Sequence, residues 1–96
     1  MTINTDKLNR QISFNFNFTV GDIARAIIDR VEFDEIEDDS ELYDAIYHAM
    51  DDELIYTDDL WEIMKYYQTP ENANLTDAIS YLLDDLLTAV RNSIEQ

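Results

Sequence analysis

A mainly helical fold is expected from this sequence: a compact bundle of about four helices with one N-terminal β-strand. Three observations carry that expectation. Hydrophobic residues make up 46% of the chain, with one Gly and one Pro, so core-forming material is plentiful and chain breakers are few. After Gly21, apolar residues recur at steps of three and four, the spacing of an amphipathic helix. Before it, nine residues alternate strictly between apolar and polar, the spacing of a strand. A length of 96 residues fits one domain, 1–96.

Residues 1–10 are polar and read as loose. The strand follows: Ile12, Phe14, Phe16, Phe18 and Val20 alternate with Ser13, Asn15, Asn17 and Thr19. A lone strand leaves a row of backbone groups unpaired. Residues 53–57 are the only internal pairing candidate, which would make a small α+β fold. Pairing with a second copy, in a homodimer, is the other solution. An extended arm that packs its three Phe on helices is the plain alternative.

The helices come next. Thr19 and Asp22 have capping-box spacing, and Ile23, Ala26, Ile27 and Val31 follow one face. Asp38, Asp39 and Ser40 supply N-cap chemistry for a second helix with an apolar face of Leu42, Ala45, Ile46, Ala49 and Met50. Thr57 is placed to cap a third helix, with Asp58 and Asp59 in the first turn, where the macrodipole favours anions. Its apolar positions are Leu60, Trp61, Ile63, Met64 and Tyr67, and Gln68-Thr69-Pro70 ends it. A loop over residues 69–74 leads to the clearest helix, residues 75–94, striped by Ile79, Leu82, Leu83, Leu86, Leu87, Val90 and Ile94.

Charge narrows the function. There are 22 Asp plus Glu against 6 Lys plus Arg, a net charge of −16. Nucleic acid and anionic lipid would both be repelled, so direct binding to either is not expected. Basic partners are. The longest uncharged run, residues 11–21, is too short and too polar for a membrane span or a signal peptide. No cysteine is present, which removes disulfides and thiolate zinc sites.

The distribution is more telling than the total. Residues 31–64 hold 14 acids and no Lys or Arg, so the lysine partners that usually relieve an acidic helix are missing there. Duplex DNA carries about one phosphate per 1.7 Å of axis, so −16 matches roughly 27 Å of duplex, on the order of 8 base pairs. Candidate partner-binding acids that would stand for phosphates are Asp34, Glu35, Glu37, Asp38, Asp39, Glu41, Asp44, Asp51, Asp52, Glu53, Asp58, Asp59 and Glu62. Each would face Lys or Arg. Tyr43, Tyr47 and Tyr56 lie among them and suit stacking on partner Arg.

Catalytic and metal readings find little support. His48 has Asp44, Asp51 and Asp52 at helical spacing, but no second His exists, and no metal or cofactor is expected. The acidic block lacks the mid-loop Gly of a calcium-binding EF-hand loop. Ser13, Ser40, Ser80 and Ser93 have no His near them in sequence, so no enzyme is expected. Asp39-Ser40 resembles the phosphopantetheine site of acyl carrier proteins, yet Glu41 stands where that motif has an apolar residue.

Leu42, Asp44-Ala45-Ile46, Ala49 and Asp51, followed by Asp59-Leu60-Trp61-Glu62-Ile63-Met64, resemble the Ocr family of phage antirestriction proteins over about a quarter of the chain. The resemblance implies a helical DNA mimic that fills the DNA-binding groove of a host defence nuclease, a restriction enzyme or a CRISPR effector, in the bacterial cytosol. Anti-CRISPR proteins use the same electrostatic strategy. The alternative is an acidic interaction or phage assembly module whose charge only confers solubility.

Overall fold

The computed structural model describes residues 1–68 and 74–95. Among these residues five helices follow one another: α1 (Thr5–Asn15), α2 (Phe18–Asp29), α3 (Asp39–Glu53), α4 (Thr57–Tyr67) and α5 (Leu75–Arg91). A short 3₁₀ turn, Phe33–Glu35, joins α2 to α3. No strand occurs among the described residues. The only β-type pairing there is a single antiparallel bridge between Ile3 and Ile94.

α2 and α5 form the centre. α5 packs on α4, α3 and α1, while α2 packs on α1, α3 and α4. Their buried residues, Val20, Ile23, Ala24, Ile27 and Ile28 on α2 and Leu82, Leu83, Leu86, Leu87 and Val90 on α5, make up much of the core. Ile12, Leu42, Ile46 and Ile63 close it from the remaining helices. Polar contacts tie the periphery together. Tyr66 Oη donates to Asn15 O (2.6 Å), Arg30 Nε to Glu53 Oε2 (2.7 Å), and Tyr67 Oη to Asp85 Oδ2 (2.5 Å).

The strand expectation for residues 12–20 is overturned. They form the end of α1, a corner at Phe16 and Asn17, and the start of α2. The reason lies in the pattern itself. Every second member of an alternating series is spaced by four, so a strand series contains a helical one. Leu8, Ile12, Phe16 and Val20 are that helical series, and all four are buried. The members left over, Phe14 and Phe18, point to water at 90% and 83% exposure. Asn17 sets the corner: its side chain accepts from Val20 N (2.8 Å) and caps α2. Thr19 and Asp22, expected to box the helix start, lie inside it.

The other pairing expectations fall with the strand. Residues 53–57 are the end of α3, a turn and the first residue of α4, so the α+β alternative has no second strand. Residues 1–10, read as loose from their polarity, carry defined bonds. Asn4 caps α1 by accepting from Lys7 N (3.0 Å). Asn4 N donates to Ser93 O (2.8 Å), and Glu95 N to Thr2 O (2.9 Å).

The later helices keep close to their expected bounds. Asp38 caps α3, accepting from Glu41 N (2.8 Å). α4 starts at Thr57 itself, with Tyr56 in the cap position and no side-chain cap. α5 starts at Leu75, capped by Asn74, and ends at Arg91, three residues before the expected end. Trp61, counted among apolar positions, is 57% exposed. The expected helix stop at Thr69-Pro70 and most of the loop over 69–74 lie outside the described residues.

Candidate functional site

The acidic block occupies three elements with different surroundings. The 3₁₀ turn presents Asp34 and Glu35, both exposed, beside a cleft also lined by Ile3, Val31 and Phe33. α3 carries most of the remainder because its buried face, Leu42, Ile46, Ala49 and Met50, fixes the phase of the helix. That phase turns Asp44, Tyr47, His48 and Asp51 outward, and all four are exposed. Asp44 and Asp51 are two turns apart, about 10 Å along the axis. α4 adds Asp58, Asp59 and Glu62.

Several of these acids already have tasks within the chain. Asp38 caps α3, and Glu41 Oε2 reaches back to accept from Glu37 N (2.9 Å), a variant of the capping box. Asp39 receives both Nε and Nη2 of Arg91 at 2.8 Å, a fork-on-carboxylate pair. That guanidinium holds the Asp39 carboxyl below the usual carboxylate range. Glu53, largely buried, binds Arg30. Glu62 lies 3.6 Å from Lys65. The bases that flank the block in sequence therefore reach into it in space.

Ten candidates stay without a cation. Among the described residues, no basic nitrogen lies within 4.0 Å of Asp34, Glu35, Glu37, Asp38, Glu41, Asp44, Asp51, Asp52, Asp58 or Asp59. Asp59 is half-buried, and burial, together with nearby Glu53 and Asp58, pushes its carboxyl above the ordinary range.

The aromatic candidates are accessible. Tyr43 and Tyr47 stack at 6.4 Å with their planes 11° apart on α3, and Tyr56 is exposed at the start of α4. His48 sits edge-on to Tyr47 at 6.0 Å. Among the described residues no three His, Asp or Glu converge as a metal site.

Two features escaped sequence reasoning. Beside the outward face of α3 lies an apolar cleft that includes Tyr47, Met50, Leu54, Leu60, Leu75 and Ile79. Its walls come from three helices, so no local pattern announces it. On the far side of the sequence, Phe14 and Phe18 stand in water. The helical spacing of Leu8, Ile12, Phe16 and Val20 was the signal that could have separated them from the core.

No protein-family model matches the chain, nor does any curated protein or solved structure. No described helix is long and apolar enough to cross a membrane.

Proposed function

We propose that the chain is a DNA-mimic inhibitor of the phage antirestriction or anti-CRISPR type. Its acidic surface occupies the basic DNA-binding channel of a host defence nuclease and competes with DNA. One observation carries the reading: among the described residues, nine carboxylates without a cation lie on 25 residues of a folded chain, from Asp34 to Asp58. Self-repulsion on that scale costs stability, and a basic channel recovers it.

The dimensions support the reading. The molecule is 40 Å long and 22–23 Å across. Its net charge amounts to one unit per about 2.5 Å of length, against about 1.7 Å per phosphate in duplex DNA. At about 3.4 Å per base pair, that length spans roughly 12 base pairs, longer than the charge alone implies. The likeness of α3 and α4 to the Ocr pattern points the same way.

The test begins with a low-salt pull-down from bacterial lysate, eluted with DNA. Binding of the purified target should weaken at least about tenfold between 50 and 200 mM salt, and duplex DNA should displace the chain. Asp44, Asp51, Asp52 and Asp58 changed together to Lys should abolish binding, because none of these four is tied up inside the fold. Salt-insensitive binding that leaves DNA on the target would sink the proposal.

A second reading, an interaction or assembly module, is favoured by exposed Phe14 and Phe18. Under it the four Lys substitutions leave partner binding intact, and Phe14→Ser with Phe18→Ser removes it.

A further inference from the structure

The acids of α3 border something other than acid. Tyr47 and Asp51 of α3, Leu54 just after it, Leu60 of α4, and Leu75 and Ile79 of α5 line a cleft of about 220 Å³. Met50 lines it too, and apart from the Tyr47 phenol, the Asp51 carboxylate and the Met50 thioether the side chains of its walls are hydrocarbon. Small-molecule sites usually run to about 300–1,000 Å³. This cleft is smaller, a size for one or two protruding side chains.

Charge selects the kind of side chain. Asp51 lines the cleft and Asp44 lies two turns before it on α3, neither with a cation within 4.0 Å among the described residues. A neutral or acidic partner covering the cleft would strip water from these carboxylates and return no counter-charge, which is costly. A partner with Lys or Arg about one turn from its apolar group satisfies both demands. Protein interfaces are commonly built this way, with an apolar anchor in a pocket and a polar rim that excludes water.

We infer that this cleft anchors a basic helix of the partner, taking a Phe- or Leu-sized side chain beside the Asp51 carboxylate of α3. The inference rests on the acidic-surface reading and deepens it. Carboxylates draw the partner in but are screened beyond about 8 Å at physiological salt. The cleft supplies the part of the affinity that salt does not remove.

The probe is a pair of short synthetic helical peptides with equal Lys and Arg content, one with Phe at its centre and one with Ala there. Each is titrated into the isotope-labelled full chain at low and at physiological salt. The Phe peptide should bind about tenfold tighter at physiological salt. Its amide shifts should centre on Leu54, Leu60 and Ile79. Tyr47→Ala with Leu75→Ser, both at accessible positions, should erase the difference and keep the helical circular dichroism. Should that variant lose its helices, the peptide pair on the unaltered chain decides.

The arms separate the two ideas. An Ala peptide that binds at low salt and is released at higher salt upholds the carboxylates. Equal affinities for the two peptides overturn the cleft alone, and no binding by either overturns both. The chain itself offers one rival occupant, Phe14 with Lys7 and Arg10 on its own helix. Concentration-dependent self-association that blocks the peptides and is abolished by Phe14→Ser would make a second copy the occupant and overturn the inference.

Discussion

The helix pairs α1–α2 and α3–α4 are built on the same plan: two helices, a short connection, one face on the core. They differ on the side that meets water. From residue 5 to residue 29, three acids meet three bases. From residue 38 to residue 67, ten acids meet one base. The first pair mixes balanced charges with amides, hydroxyls and two exposed Phe on its solvent side. The second fills it with carboxylates. The buried faces hold the fold in both, so the contrast isolates what the surface adds: one helix pair without net charge and one strongly negative, within a single bundle.

The sharpest way to break this comparison is to treat the three Phe of the first pair as equals, as a strand would make them. Phe16 is 6% exposed and packs on Tyr66 with ring centroids 6.0 Å apart. Phe16→Ala should cost about 3–5 kcal/mol in chemical unfolding. Phe14→Ser and Phe18→Ser should each stay within about 0.5 kcal/mol of the parent, because neither buries its ring. Three similar losses would restore the strand.

The same contrast explains which parts of the fold were legible. On α3, acids mark the solvent side and Leu42, Ile46, Ala49 and Met50 mark the core, so the helical period stands out and its Asp38 cap is found where the sequence places it. Around residues 12–20, apolar residues lie on both sides and charges are absent, so a four-residue period shows through as a two-residue one. Charge in the acidic block was legible residue by residue, but its pairing was not. Arg91 reaches Asp39 across 52 positions and Arg30 reaches Glu53 across 23, distances no local spacing encodes. The apolar cleft was hidden for the same reason, since Tyr47, Leu60 and Ile79 come from separate helices.

A smaller effect separates the two helix starts. α2 depends on the Asn17 side chain, whereas α4 has no side-chain cap at all. Asn17→Ala should therefore cost about 1 kcal/mol, measured by thermal or urea unfolding. Tyr56→Ala, at the equivalent position of α4, should cost clearly less. Equal losses would mean that the Asn17 bond does not set the corner.

Within the acidic pair, Asp59 combines burial with like-charged neighbours. Burial first, then Glu53 and Asp58, raise its folded value above the ordinary 3.8. The folded state thus takes up the proton more readily than the unfolded chain. The associated stability is full below 3.8 and is lost as pH rises through the folded value. Asp59→Asn should therefore raise stability at neutral pH by a few tenths of a kcal/mol, the scale of surface like-charge pairs. The gain should vanish in acid, and a gain that persists there would point to packing instead of charge.

The last expectation concerns the inner side of the same pair and a single proton. Tyr67 of α4 donates to Asp85 of α5 at 2.5 Å. Burial, then that bond to a carboxylate, push its phenol far above the ordinary 10.0. Ionising it would place a phenolate against Asp85 in a half-buried site. Stability from Tyr67 is thus complete below 10.0 and is lost as pH climbs beyond it, because only the unfolded chain gives up this proton readily. Phenolate absorbance recorded on the parent chain and on Tyr67→Phe should coincide while the helices persist and diverge only as they melt. A Tyr67 signal that appears near pH 10.0 with helicity intact would show that α4 and α5 do not hold the phenol as described.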